Sequence, residues 1–319
     1  MKFNEQYTVE NHILRFLQEK LDYSYIPPKE FEKLRELERE YIIVPLLRDA
    51  LAKLNPGASE VEVANVIRQV RSIERNQDFL EALRNGVNLV DADTRRTKNF
   101  KLLDFVIRTN NSFVVTNQFY FEGNAENIRP DILVFVNGIP LVDIEAKSAT
   151  AQGVSFEQAI GQLKRYEKFA RSLFIPNCFN IATDGHKTVY GATYAPAQGF
   201  FEWKDEELEQ KLGGKLEVAL VSLLEPVRLL DIVQNFIVFE KTKDGAIKKI
   251  ARYQQLRATN KILERVREGK EKRGLVWHTQ GSGKSLTMFF SAWKLRFDAS
   301  LQNPKVFVLV DRVDLDDQI

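Results

Sequence analysis

The sequence predicts an α/β protein with two domains, and three observations carry that prediction. Residues 102–147 contain apolar runs of strand length that are joined by Asn and Gly turns. Patterns of helical period precede and follow these runs. A glycine-rich loop at residues 279–285 separates a short apolar run from a further helical pattern, an order typical of α/β domains. We place the boundary between the domains after residue 230, so that they span residues 1–230 and 231–319.

Composition excludes several classes of protein. The chain has 319 residues, of which 44% are hydrophobic and 28% charged, and its net charge is +2. Because the net charge is nearly zero, any DNA-binding surface must be local. Cys178 is the single cysteine, and neither it nor the three histidines stand at zinc-ligand spacing. No apolar run approaches membrane-spanning length and no signal-peptide pattern opens the chain, which favours a reducing, cytosolic compartment.

The N-terminal third is predicted to be helical. Thr8 is a candidate N-cap for a helix that ends near Leu21, and Glu10 would then lie in the first turn. In that position Glu10 either complements the helix dipole or supplies an additional acidic group to a metal site. A second helical region is expected at residues 29–54, kinked or split by Pro45.

The central feature is a hairpin at residues 129–147, RPDILVFVNGIPLVDIEAK. Its Asn-Gly pair predicts a tight turn, preceded by further strands expected at residues 102–107 and 112–121. Asp143, Glu145 and Lys147 alternate with apolar residues and therefore share one face of the second strand. Unpaired charges on a buried strand are costly, so a bound divalent cation is one explanation. The alternative is a surface hairpin whose polar face is solvated.

The geometry of the hairpin sets a condition on such a site. A strict two-residue turn would place Asp131 opposite Ile144, on the wrong face from Glu145. A site shared by Asp131 and Glu145 therefore requires a three-residue loop with a bulge, or a kink at Pro130. We predict one of these two distortions.

A helix is predicted after the hairpin, from Ser155 to about Arg171, followed by strands at residues 178–183 and 188–194. Gln162 and Tyr166 are four residues apart and so lie on one face of that helix. An ordinary polar helix face would show the same spacing.

These strings together resemble the PD-(D/E)xK nucleases. Pro130-Asp131 matches the first half of the signature, Glu145-Ala146-Lys147 the second, and Gln162-x-x-x-Tyr166 the QxxxY motif of one branch. The resemblance implies a restriction-endonuclease-like core with helical additions, in which Asp131 and Glu145 bind Mg²⁺. The catalytic residues that it implies, with Glu10 as a further acidic residue near the metal, are Asp131, Glu145, Lys147, Gln162, Tyr166 and Glu10.

The second domain centres on the string WHTQGSGKS at residues 277–285. Gly281 and Gly283 let backbone amides point inward, and the following helix N-terminus favours negative charge. Lys284 would reach the β- and γ-phosphates of ATP, and the Ser285 hydroxyl would ligate Mg²⁺. His278 replaces the first glycine of the strict P-loop pattern, and the form found here resembles superfamily 2 helicases.

The flanking sequence extends that resemblance. Residues 251–255 resemble the adenine-reading Q motif, with Gln255 better aligned and Gln254 as the rival. Residues 306–310 are predicted to form a strand, and residues 311–318 resemble motif Ia, which contacts DNA in such motors. The first part of a RecA-like P-loop domain is implied. The expected ATP-binding residues are Gln255, Thr279, Gln280, Gly281, Ser282, Gly283, Lys284 and Ser285.

The two halves in this order resemble the R subunit of type I restriction-modification enzymes. That resemblance implies Mg²⁺-dependent cleavage of double-stranded DNA, coupled in the full protein to ATP-driven translocation. It also implies a complex with methyltransferase (M) and specificity (S) subunits. The sequence stops at residue 319, before any Walker B motif. We therefore expect a fragment or a truncated product that cannot translocate.

Two alternatives from other classes stay open. The first is a non-catalytic DNA-binding or assembly module that keeps the nuclease fold. The second is a P-loop ATPase with an unrelated N-terminal domain, which would be favoured if Asp131 and Glu145 lay too far apart to share one ion.

Overall fold

A computed structural model describes residues 6–90, 95–147, 155–243 and 245–309. The chain divides into two compact units, one holding the residues up to 233 together with 239–249, the other holding 234–238 and the residues from 250 onward. The predicted domain boundary after residue 230 stays a prediction. In the described ranges, none of the helices combines the length and the apolar character that crossing a membrane requires.

The described residues form eleven helices and eleven strands of regular structure. The helices are α1 (Gln6–Leu21), α2 (Pro28–Glu32), α3 (Val44–Leu54), α4 (Glu60–Arg71), α5 (Asn76–Asn85), α6 (Phe156–Phe169), α7 (Glu206–Leu212), α8 (Lys215–Leu224), α9 (Pro226–Asn235), α10 (Tyr253–Glu268) and α11 (Lys284–Arg296). The strands are β1 (Ser24–Tyr25), β2 (Val87–Val90), β3 (Thr97–Phe100), β4 (Phe113–Asn117), β5 (Ile132–Val136), β6 (Ile139–Ala146), β7 (Phe179–Thr183), β8 (Thr188–Ala192), β9 (Phe201–Glu202), β10 (Ile237–Thr242) and β11 (Gly245–Ile250).

A mixed seven-stranded sheet in the order β1-β4-β5-β6-β7-β8-β9 organises the first unit. Strands β4, β5 and β6 form an antiparallel meander. Strand β7 then pairs parallel with β6, and α6 makes the crossover that this pairing requires. The predicted α/β class is thus confirmed. So is the order in which the hairpin, the helix after it and the next two strands follow one another.

The middle of this sheet is buried on both faces. Every residue of β5, β6, β7 and β8 is buried. Helix α6 covers one face, where Ile160 and Leu163 pack on Ala182 and Val189. Because both faces are covered, any charged side chain in the middle strands is removed from water and needs a partner.

The turn between β5 and β6 determines which residues face each other. Asn137 and Gly138 both have positive φ, 53° and 76°, and form a strict two-residue turn, so the predicted three-residue loop is wrong. The register instead changes inside β6. Phe135 pairs with Pro140 and Val134 with Val142, which leaves Leu141 without a partner.

This bulge is the distortion that the site requires, placed in the strand rather than in the loop or at Pro130. Pro140 has no N–H to give to the ladder, which favours a bulge beside it. The Leu141 carbonyl bonds on the β7 side of β6, where it accepts from the N–H of Cys178, the residue before β7, at 2.7 Å. As a result Leu133 lies opposite Asp143, and Asp131, two residues earlier, comes level with Glu145.

The strand predicted at residues 102–107 is wrong. Asp104 Oδ1 accepts from the backbone N–H of Val106 and of Ile107, both at 2.9 Å, and folds the segment into a turn. The apolar pattern there had indicated a strand, but Val106 is 90% exposed.

One prediction about the N-terminal helices needs correction and another holds in part. Helix α1 already includes Gln6, so Thr8 lies inside it and Glu10 lies beyond the first turn. The helical region predicted at residues 29–54 is split into α2 and α3, but the break lies before Pro45, which stands in the first turn of α3, where its missing N–H costs nothing.

In the second unit, α10 begins within the Q motif, at Tyr253, and α11 follows the glycine-rich loop. The flanking segments 274–278 and 306–309 form no strand pairing within the described residues, so the strand predicted at 306–310 is absent over its described part. Apolar side chains on both segments are exposed, with Leu275 at 83% and Phe307 at 84%. An apolar run becomes a strand only beside another strand, which a local pattern cannot show. Residues 311–318 lie outside the described residues.

Strand β11 carries a buried lysine. The Lys248 amine donates to the Asn177 carbonyl at 2.8 Å and lies 3.2 Å from Thr193 Oγ1. Burial lowers the pKa of Lys248 to about 8. The amine therefore connects residues 239–249 to the ends of β7 and β8.

Gly138→Ala should destabilise the chain more than Gly57→Ala. Both glycines have strongly positive φ, 76° and 82°, and share the strain of a left-handed alanine, about 1 kcal/mol. A Cβ on Gly138 would lie 2.6 Å from the Ile43 carbonyl oxygen, whereas Gly57 faces open space. We expect Gly138→Ala to cost roughly 1–3 kcal/mol more in urea unfolding. Equal losses would contradict the tight contact.

Lys248→Met should change how stability depends on pH. The pKa of Lys248 in the fold is about 8, below its ordinary value of 10.5, so between these values the unfolded chain binds more protons. The unfolding free energy of the wild type should therefore gain up to about 3 kcal/mol over the variant as pH rises from 8 to 10.5. Lys249→Met, at the half-exposed neighbour, is the control. A constant difference between wild type and Lys248→Met across this window would contradict the buried amine.

Candidate active site

Asp131 and Glu145 face each other at the ends of β5 and β6. The Asp131 N–H donates to Glu145 Oε1 at 3.1 Å, and the Ala146 N–H donates to Asp131 Oδ2 at 3.0 Å. Both carboxylates are buried, at 3% and 0% exposure. A backbone amide beside each carboxylate thus donates to the other carboxylate, and these two bonds orient the pair directly.

Lys147 brings a positive charge to the same point. Its amine lies 3.5 Å from Asp131 Oδ2 and 3.5 Å from Glu145 Oε2. Its backbone N–H donates to the Thr183 carbonyl at 2.8 Å, which continues the pairing of β6 with β7. Two carboxylate oxygens from neighbouring strands therefore converge on one cationic nitrogen.

Glu10 reaches this cluster from α1. It accepts from Asn117 Nδ2 at 2.5 Å and from Gln118 Nε2 at 3.0 Å. Gln118 Nε2 also lies 3.3 Å from Asp131 Oδ1, so that one amide bridges the two carboxylates. Burial raises the pKa of Glu10, and the bonds from Asn117 and Gln118 oppose that shift. Because Glu10 lies beyond the first turn, dipole complementation does not explain it.

Gln162 and Tyr166 approach from α6. Gln162 Nε2 donates to Tyr166 Oη at 2.7 Å, and Tyr166 Oη donates to the Arg129 carbonyl at 3.2 Å. The pair therefore holds the backbone two residues before Asp131. Burial raises the pKa of Tyr166, so the hydroxyl remains a donor.

Two further electrostatic features concern β6. Burial raises the pKa of Glu145 and of Asp143, and the charge of Asp131 raises both further. Asp143 is fully buried, and within the described residues neither of its oxygens has a hydrogen bond of normal geometry. The nearby Ile144 amide opposes the rise in the pKa of Asp143. Both upward shifts favour the protonated, neutral forms of these two acids unless a cation lies beside them.

Both glycines of the glycine-rich loop in the second unit have a left-handed backbone. Gly281 and Gly283 have φ values of 77° and 78°, and α11 begins at Lys284. The Lys284 amine donates to the Thr279 carbonyl at 3.1 Å. Ser282 Oγ donates to that same carbonyl at 2.7 Å. The loop is therefore closed by its own side chains.

Gln255 supports this loop from α10. Its Nε2 donates to the carbonyls of Ser282 and Gly283 at 3.1 Å each, and its Oε1 accepts from the Arg252 N–H at 2.8 Å. Gln254, its rival for reading adenine, lines a cavity of about 640 Å³ instead. That the Q motif recognises adenine stays a prediction.

Comparison with known proteins matches both halves of the chain. Residues 2–199 match the family described as type I restriction enzyme R protein N terminus. The chain belongs to the type I restriction enzyme R protein family. Residues 254–319 match the SWI2/SNF2 ATPase family. The predicted resemblance to R subunits is thereby confirmed.

Curated relatives carry corresponding names. The type I restriction enzyme HindI endonuclease subunit of Haemophilus influenzae is 35% identical over 87% of this chain. The type I restriction enzyme SauCOLORF180P endonuclease subunit of Staphylococcus aureus is 31% identical over 65%. The chain spans 28% and 22% of the length of these two relatives.

The donor set of this R protein chain fits a divalent cation of the Mg²⁺ type. Mg²⁺ prefers oxygen ligands, and Asp131, Glu145 and the Ala146 carbonyl supply them. Glu145 Oε2 is buried, and among the described residues it receives no hydrogen bond, only the Lys147 ion pair. In the part of the chain that the structure describes, no three His, Cys, Asp or Glu side chains group as ligands. Water and the carbonyl would therefore complete the coordination of an ion held by two carboxylates.

Sequence reasoning missed two members of the site in this R protein chain. Asn117 and Gln118 hold Glu10 and Asp131, and the signal available was only that two amide residues stand at the end of β4. Gln118 has φ +48°, a left-handed conformation that lets its side chain reach both acids. That conformation is uncommon away from glycine, and the residue type gave no sign of it.

Lys147→Met should destabilise the metal-free chain. The substitution leaves Asp131 and Glu145 buried and facing each other without a cation, which typically costs about 3–5 kcal/mol when one partner of a buried pair is removed. Thermal unfolding in EDTA measures the loss. Millimolar Mn²⁺ should recover more stability in the variant than in the wild type, since the ion replaces the lost charge.

The control for this experiment is Lys204→Met, at an exposed lysine of the same unit. Its stability should follow the wild type with and without Mn²⁺. If both variants behave alike, Lys147 does not balance the two carboxylates.

Proposed function

We propose that the first unit is the Mg²⁺-dependent nuclease of a type I R subunit, with a PD-(D/E)xK fold, and that it hydrolyses phosphodiester bonds in double-stranded DNA. The observation that carries this proposal is the convergence of Asp131 and Glu145 on the Lys147 amine, 3.5 Å from each. Membership of the R protein family supports it, as do relatives named endonuclease subunits.

Asp131, Glu145 and the Ala146 carbonyl would hold the ion. When bound, Mg²⁺ supplies charge neutralisation at the scissile phosphate and acidifies water for the attack. Lys147, released from its ion pairs, orients that water or stabilises the charge that develops on the phosphate. The charge of a bound ion would take the place of the Lys147 ammonium beside the two carboxylates.

The other side chains of the site position Asp131. Gln118 connects its carboxylate to Glu10, while Tyr166 and Gln162 hold the Arg129 carbonyl. We assign these four residues to orientation of the metal site, and Gln162 and Tyr166 also to the DNA at its edge. Glu10 adds a second acidic side chain beside Asp131.

For the second unit we propose ATP binding with Mg²⁺. The left-handed glycines at 281 and 283 and the helix that begins at Lys284 fit a phosphate cradle, and Ser285 follows at the position of the metal ligand. The match to SWI2/SNF2 ATPases supports this assignment. Translocation of DNA, and assembly with M and S subunits, would belong to the complete R protein.

Substitutions in the proposed site should remove cleavage and leave ATP hydrolysis intact. We would introduce Asp131→Asn, Glu145→Gln and Lys147→Met into the complete R protein, assembled with M and S subunits. Linearisation of supercoiled plasmid should fall by about 10²–10³ or more for each, since an electrostatic group at the reacting phosphate is lost. Glu206→Gln, at an exposed acid on α7, is the control and should cut normally.

Cleavage that survives Asp131→Asn and Glu145→Gln would reject the nuclease assignment. A wild-type complex that binds and pumps DNA yet never cuts with Mg²⁺ or Mn²⁺ would favour the non-catalytic assembly module.

A further inference from the structure

Glu167 is a buried acid that the proposed mechanism does not use. It follows Tyr166 on α6 and is only 5% exposed. Its Oε1 accepts from Asn180 Nδ2 at 2.9 Å and from the Tyr194 N–H at 2.8 Å. Its Oε2 accepts from Lys164, whose amine also donates to the Ala195 carbonyl at 2.7 Å. One carboxylate thus fastens α6 to β7 and to the segment after β8.

Asn180 lies next to the site. It is the register partner of Asp143 in the parallel pairing of β6 with β7, so the two side chains share a face. Asp143 precedes Glu145 by two residues on that same face. The bond between Glu167 and Asn180 therefore attaches α6 to the sheet one step along the strand from a proposed metal ligand.

The bond from Tyr194 to Glu167 involves a residue with an unusual backbone conformation. Tyr194 has φ +66°, a left-handed conformation that is unfavourable for an aromatic residue. Such a conformation persists only where its surroundings hold it. The hydrogen bond from the Tyr194 N–H to Glu167 is one of those restraints. The same bond holds Glu167, and with it α6, against the segment after β8.

Neighbouring positions on a helix point about 100° apart. Glu167 therefore faces β7 while Tyr166 reaches the Arg129 carbonyl, two residues before Asp131. If α6 shifts on the sheet, Tyr166 moves with it and releases the backbone that carries Asp131. The restraint that Tyr166 places on the Arg129 carbonyl is therefore only as firm as the restraint on α6.

We propose that Glu167 is a positioning residue for the nuclease site. It fixes α6 against Asn180 and Tyr194, so that Tyr166 holds residue 129 and keeps Asp131 level with Glu145. Its importance for cleavage rests on the proposed nuclease function. Its effect on the geometry of Asp131 does not, and can be measured without metal or DNA.

Amide hydrogen exchange tests the proposal directly. The N–H groups of Asp131 and Ala146 donate to the carboxylates of Glu145 and Asp131, so their protection reports whether the two acids still face each other. In the metal-free chain, Glu167→Ala should speed exchange at both amides about tenfold. Glu167→Gln should stay near the wild type, because its oxygen still accepts from Asn180 and Tyr194.

Asn55→Ala is the matched control. Asn55 also makes several hydrogen bonds, to Leu51 and Lys101, and none of them involves a residue of the site. At equal loss of overall stability, Asn55→Ala should leave exchange at Asp131 and Ala146 unchanged. Should Glu167→Ala fail to fold, Asn180→Ala removes one of the same bonds and is expected to act in the same direction.

Mn²⁺ affinity gives a second readout. Glu167→Ala should weaken binding about tenfold relative to the wild type and to Asn55→Ala, while Asp131→Asn should abolish it. Exchange at Asp131 and Ala146 in Glu167→Ala or Asn180→Ala that is no faster than in Asn55→Ala overturns the inference. A wild-type chain whose Mn²⁺ binding is insensitive to Asp131→Asn refutes the proposed function instead, and the exchange experiment still decides the role of Glu167.

Discussion

Leu141, a residue without a partner in the β5–β6 ladder, decides which face of the sheet the acidic groups occupy. In a regular hairpin built on the Asn137-Gly138 turn, Asp131 would lie level with Ile144. The bulge advances β6 by one residue and brings Asp131 level with Glu145. The reciprocal hydrogen bonds from the Asp131 and Ala146 amides exist only in that register. Everything proposed for the first unit depends on this shift.

Bringing Asp131 level with Glu145 is not sufficient for a stable site, because both side chains are buried acids. Burial raises the pKa of Glu145, and the neighbouring charge of Asp131 raises it further, so two ionised carboxylates there are unfavourable unless a cation joins them. Lys147 supplies that cation in the arrangement described here, and a metal ion would supply it in the proposed working state. Three sets of hydrogen bonds limit how far the acids can move apart. Gln118 donates to Asp131, Tyr166 donates to the Arg129 carbonyl, and Glu167 accepts from Asn180 and Tyr194 and so holds α6.

Local pattern predicted the elements of the first unit that have strong periodicity, such as the hairpin and α6, and the motif identified Asp131, Glu145 and Lys147. The local pattern placed the distortion of the hairpin in the loop or at Pro130, whereas the bulge lies in β6. That bulge stands beside Pro140 and is held by a hydrogen bond from Cys178, which is distant in the sequence. Gln118 was not predicted to belong to the site, because the residue type does not indicate a left-handed backbone conformation. Residues 102–107 and 274–278 look like strands, yet the first is folded by Asp104 and the second has no described neighbour to pair with.

The central claim is that Asp131 and Glu145 share one metal ion in place of the Lys147 ammonium. Crystals of the chain soaked in Mn²⁺ would test it most directly, through the anomalous difference map. The account predicts one peak within ligand distance of Asp131 and Glu145, with the Lys147 amine displaced from both oxygens, and no such peak in Asp131→Asn. Saturating Mn²⁺ that leaves Lys147 paired with both carboxylates, or that binds only elsewhere, would contradict it.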